Sequence, residues 1–190
     1  MRIRTFVFAG LSAGIAIVLS ACGSLDSGAP SYDTISAQQA RLYFDAPAFS
    51  GATGEHRRAD RRDSGYAVER AYWENRAGIS AETMLIEALQ PKGLQVPDDP
   101  QDEIANFVEL VPLKVTFGKL YQSETAMGPA IWRRFVAGDR SCVIFSQRWD
   151  DGPGTPATRT LFGYYCAASG EVFTLQDAQA VLRHAGIRAK

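Results

Sequence analysis

AIWRRFVAGDRSCVIFSQRW, residues 130–149, divides into Ala130–Val136, a turn at Ala137-Gly138-Asp139, and Arg140–Trp149. Both arms carry aromatic and β-branched residues, and a Gly-containing turn between such arms predicts a β-hairpin. Beyond a connecting stretch at 150–158, DDGPGTPAT, residues 159–167 (RTLFGYYCA) predict a third strand. Ser169-Gly170 makes a turn, and Thr174 with Asp177 forms a capping-box pair for a final helix. Leu175, Ala178, Val181, Leu182 and Ala185 give that helix an apolar face, and Gly186 is placed to stop it.

Upstream, Leu113–Tyr121 alternates around Gly118 and predicts a bulged strand. Asp99-Pro100 opens a helix in which Ile104, Phe107, Val108 and Val111 form a stripe, ended by Pro112. Residues 91–100 hold three Pro and predict a loop. Tyr66–Arg76 predicts a strand. Residues 79–90 fit either a helix capped by Ser80 or a strand returning through Ala77-Gly78, and the hairpin is the favoured reading. Residues 45–65 predict a long polar loop, and 34–44 a short helix or strand. The expected fold is α+β: an antiparallel sheet of about five strands packed on one or two helices, one of them C-terminal.

The chain has 190 residues with 20 Lys+Arg against 21 Asp+Glu, 46% hydrophobic and 22% charged, the balance of one globular domain with a short extension. A net charge of −1 argues against a nucleic-acid binder. The extension is N-terminal. Arg2 and Arg4 precede an uncharged run from Phe6 to Leu19, which at 14 residues falls short of the roughly 20 of a membrane span. Residues 1–21 therefore predict a secretory signal.

Leu19-Ser20-Ala21-Cys22 resembles the lipobox of bacterial lipoproteins. The resemblance covers the leader and processing site only. It implies diacylglycerol on the Cys22 thiol, cleavage before Cys22 and acylation of the new amino group, with palmitate a typical chain. In a diderm bacterium, Gly23 in place of Asp implies sorting to the outer membrane, facing the periplasm. Removing 21 residues, Arg2 and Arg4 among them, leaves 169 with 18 basic and 21 acidic side chains, a net charge of −3. Residues 22–35 are the expected lipidated tether and 36–190 a single domain. With Cys22 taken by lipid, Cys142 and Cys166 remain as an even pair in an oxidising compartment and are expected to form a disulfide.

Several residue groups are candidate sites. Arg57, Arg58, Arg61 and Arg62, beside His56, form a basic cluster suited to an anionic envelope polymer or head group. Asp98-Asp99-Pro100-Gln101-Asp102-Glu103 lacks the ligand spacing of a calcium loop and suits a helix start. His184 has no partner at metal-ligand spacing, and no cofactor or metal is expected. The expected function is non-catalytic: binding or scaffolding an envelope component, protein or polymer, from the membrane. Two alternatives stand beside it. One is a hydrolase of cell-wall polymers using Asp150, Asp151 or Glu171. The other is an aromatic cleft of Trp132, Trp149 and Tyr164 for sugar or lipid.

Overall fold

The structure is a computed structural model and describes residues 31–61, 64–91, 93–150 and 157–189. Among the described residues, ten strands and one α-helix lie in chain order: β1 (Asp33–Ile35), β2 (Leu42–Phe44), β3 (Glu55–Arg61), β4 (Tyr66–Glu74), β5 (Ser80–Ala88), β6 (Val115–Thr125), β7 (Gly128–Ala137), β8 (Arg140–Asp150), β9 (Ala157–Cys166), α1 (Leu175–Leu182) and β10 (Ala185–Ile187). Eight of the strands form one antiparallel sheet in the order β1-β3-β4-β5-β9-β8-β7-β6, and β10 pairs with β2 separately.

The expected hairpin is β7–β8, with Trp132 opposite Phe145, and β9 extends it into a meander with Cys142 opposite Cys166. These two sulfurs are 2.04 Å apart, a cross-strand disulfide. Gly118 lies where the β6–β7 register shifts, as the bulge reading expected. The 79–90 segment is a strand, paired with β4 on one side and β9 on the other. The sheet is larger than the expected five strands because the β3–β4–β5 unit and the β6–β9 unit join edge to edge through β5 and β9.

Alternation gives the sheet two buried faces. On one, Trp73, Leu85, Trp132, Phe145, Leu161 and Tyr165 meet β2, β10, α1 and a turn at Pro47–Phe49. On the other, Met84, Phe135, Ile144, Phe162 and Tyr164 meet Phe107 and Leu110 from the 100–113 segment. Each large side chain taken fully from water contributes about 1.5–3 kcal/mol, so the centre of the sheet holds most of the stability. The helix face is pinned by Glu69, buried on β4, whose Oε1 accepts from the backbone N–H of Arg41 at 2.7 Å and of Leu42 at 2.9 Å. Thr174 and Asp177 form the expected capping box of α1.

Four expectations are corrected. The polar loop at 45–65 contains β3, which pairs residue by residue with β4 from Glu55↔Tyr72 to Arg61↔Tyr66. Its polarity hid it: only His56 and Ala59 are buried. The tether expected to run to residue 35 gives its last three residues to β1. Residues Pro100–Asn106 are 3-10 rather than α, with the Asp99 side chain accepting from the Gln101 N–H at 3.0 Å. At about three residues per turn the expected stripe does not form: Phe107 is buried with Leu110, while Val108 and Val111 are exposed. Gly186 does not stop the helix but belongs to β10, where a Cβ would lie 2.1 Å from the Tyr43 ring, so a larger residue there would displace that ring.

Candidate functional site

The antiparallel register of β3, β4, β5 and β9 draws one row across four strands: Glu55 opposite Tyr72, Tyr72 opposite Glu82, Glu82 opposite Tyr164. Acid and phenol alternate along it. The next row sets Arg57 opposite Arg70. These side chains share the face that Phe107 and Leu110 cover farther along the sheet. The covering segment stops short of β3, leaving a cleft of about 460 Å³ walled by Tyr32, Tyr72, Arg57, Glu55, Val108 and Glu109.

The cleft's floor is tied together. Arg70 pairs with Glu82 at 2.6 Å, donates to the Asn106 carbonyl, and lies 5.9 Å from the centre of the Tyr32 ring. Burial pushes the Glu82 carboxyl above the usual range, and the Arg70 charge works against that shift. The Tyr164 hydroxyl donates to Glu109 at 3.2 Å, and Tyr72 lines the cleft beside the same carboxylate. Burial first, and the Glu109 charge after it, push both phenols well above their ordinary value, so both stay protonated and act as donors. Arg57 and Glu55 stand at the exposed rim, 3.5 Å apart.

The structure disperses the sequence-predicted groups. Strand alternation sends Arg58 to the helix face, opposite Glu69, and Arg57 and Arg61 to the cleft face. Arg58 pairs with Asp60 at 3.4 Å, and Arg61 lies over the Tyr66 ring. The expected four-Arg cluster is thus split, and Arg62 lies outside the described residues. So do Cys22 and the lipobox-like residues before it. Trp132 and Tyr164 are buried on opposite faces, and Trp149 is half-buried under Arg159, so these three build no common cleft. Asp151 and the Asp150 side chain lie outside the described residues. The Asp150 backbone stands at the end of β8 remote from Cys142, whereas Glu171 follows the turn beyond Cys166. Eight residue rises of about 3.3 Å separate those ends, too far for one carboxylate pair. Asp99 pairs with Arg133, and His184 Nδ1 lies 2.9 Å from Asp45.

Sequence reading missed Tyr32, Arg70, Tyr72, Glu82 and Glu109. The available signal was local: Glu82 interrupts the apolar run of β5, and Arg70 follows the buried Glu69 of β4. Among the described residues, no group of three or more His, Cys, Asp or Glu could hold a metal ion, and no helix is long and apolar enough to cross a membrane. No protein-family model matches the chain, and neither a curated protein nor a solved structure matches it.

Proposed function

We propose that this protein is a lipid-anchored component of the cell envelope that binds a saccharide-bearing envelope polymer in the β3–β4–β5 cleft. The lipobox-like Leu19-Ser20-Ala21-Cys22 supports the anchor. Buried acyl chains contribute about 0.8 kcal/mol per CH₂, and about two chains hold a protein stably, which a triacylated Cys22 exceeds. Gly23 supports an outer-membrane site facing the periplasm.

The observation that carries the binding half is the Glu55–Tyr72–Glu82–Tyr164 row beside Arg57. A sugar presents hydroxyls that donate and accept around a ring with apolar faces. Tyr32 and Tyr72 offer flat rings with polar edges. Glu55 and Glu109 accept, and Arg57 donates. The role is binding rather than turnover: Arg70 holds Glu82, and the Tyr164 hydroxyl holds Glu109, so these acids fix the shape of the cleft. A pocket with few, well-placed polar groups suits selective binding.

The test is co-sedimentation of the full-length protein, in detergent, with purified peptidoglycan sacculi and with lipopolysaccharide. Wild type should sediment saturably with one of them, and Tyr72→Ala should weaken that binding at least tenfold. Equal binding by both proteins, or none by wild type, refutes the cleft. Radiolabelled palmitate should enter wild type and not Cys22→Ser. Label in both refutes the anchor.

A further inference from the structure

On the opposite face, β2 and residues 52–54 stand over the β3–β4 pair and enclose a second recess of about 550 Å³. Trp73 and Tyr43 form ring walls, and His56, Asp45, Thr53 and Arg188 supply its polar groups. His56 is only 6% exposed, and its ring stands edge-on to Trp73 at 5.7 Å. Its Nδ1 is buried with no hydrogen-bond partner among the described residues. A buried polar atom left this way costs about 1–3 kcal/mol, a cost that a ligand reaching it removes. Gly54 helps shape the recess: a Cβ there would lie 2.4 Å from the Trp73 indole nitrogen.

The remaining polar groups select the ligand. Asp45 is engaged by His184, and Glu69 beneath is engaged by the backbone N–H groups of Arg41 and Leu42. Glu69 is thereby supplied with two donors, and Asp45 lies at the exposed mouth of the recess beside His184. Arg188 uses one guanidinium nitrogen on the carbonyls of Ala37 and Ala40, and its other nitrogens have no partner among the described residues. At the buried end of the recess the unmet groups are the His56 imidazole and the free nitrogens of Arg188, next to flat apolar rings. We propose that this recess is a second binding site, for a small carboxylate carried on a flat ring. The ring packs against Trp73 and Tyr43. The carboxylate accepts from the His56 Nδ1–H and from Arg188, in the charge-assisted geometry that guanidinium favours. The site is independent of the saccharide cleft, because it opens on the other face of the sheet and shares none of its polar side chains.

The chain has two histidines, so their imidazole resonances are few and readable. The experiment is nuclear magnetic resonance of the full-length protein in detergent, selectively labelled at histidine, with His184→Gln assigning the two rings. Benzoate is the probe, with benzyl alcohol and benzylamine as neutral and cationic counterparts of the same ring. Benzoate should shift the His56 resonances saturably, the counterparts should not, and Arg188→Gln should weaken the benzoate affinity at least tenfold. Arg188 is exposed, so that variant tests the proposal without emptying the core. A His56 ring unmoved by benzoate, moved equally by either counterpart, or titrated unchanged in Arg188→Gln overturns it.

Discussion

In β9 every residue from Thr160 to Cys166 is buried, whereas in β3 only His56 and Ala59 are. Both strands belong to one sheet, with β4 and β5 between them. The β7–β8–β9 unit packs apolar side chains on both faces and carries a disulfide. The β3–β4 end carries ion pairs, phenols and an open recess on each face. The difference separates two tasks. A strand covered on both sides is held by burial and presents little to a ligand. A strand at the margin of the covering layers is held by its neighbours' backbone pairing and keeps its side chains available.

Truncation in the meander should therefore have the largest effect. Phe162→Ala removes a fully buried ring and is expected to cost about 3–5 kcal/mol, read as a shift in the urea midpoint. A cost under about 1 kcal/mol would contradict a meander core. Replacing Cys142 and Cys166 together by Ser opens a cross-link of sequence separation 24. The chain-entropy relation gives a loss of about 3.5 kcal/mol. The same midpoint in the Ser pair and the oxidised wild type would show that the cross-link does not carry this load.

The next effect lies at the junction between the two regions. Glu69→Ala strands the N–H groups of Arg41 and Leu42 and should cost about 2 kcal/mol. Hydrogen exchange should accelerate at those two amides before it does in β9. Uniform acceleration would mean that β2 and the sheet centre unfold as one unit.

The two regions differ in legibility for physical reasons. Ala130–Trp149 announced its hairpin because both arms carry aromatic and β-branched residues around a Gly, and Thr174 with Asp177 announced the start of α1 through a local hydrogen-bond pair. Residues 55–61 concealed a strand because arginine extends a long apolar stem beneath a charged head, so composition read as loop. Seven residues of 3-10 structure at Pro100–Asn106 are too short for a period of 3.0 to be told from 3.6. The cleft was hidden for another reason. Tyr72, Glu82 and Tyr164 meet through strand register, and Glu109 joins them from the covering segment, relations fixed by tertiary pairing.

Acid should weaken the β3–β4 end selectively. Burial, reinforced by Arg188 and opposed by the Glu69 charge, holds His56 below its ordinary 6.5. Between the folded value and 6.5 the unfolded chain binds more protons, so stability falls as pH is lowered through that window. One such group contributes at most about 1.4 kcal/mol per pH unit. His56→Phe should flatten the slope below pH 6.5 and leave stability above it without that pH dependence. An unchanged slope would assign the acid sensitivity to other groups.

The smallest stability effects come from the rim arginines, where the comparison separates binding from folding most cleanly. Arg57 and Arg58 are neighbours in sequence, and each sits about 3.5 Å from a carboxylate two residues away along β3. Pairs this exposed contribute little, so Arg57→Ser and Arg58→Ser should each leave the urea midpoint within about 0.5 kcal/mol of wild type. Alternation, however, puts Arg57 at the cleft beside Tyr72 and Arg58 on the other face. Polymer co-sedimentation should weaken several-fold in Arg57→Ser and stay unchanged in Arg58→Ser. Equal weakening would mean that binding responds to the net charge of the 55–61 segment, as a diffuse basic patch would. Loss in Arg57→Ser alone would trace recognition to the face of β3 that carries Glu55 and Arg57.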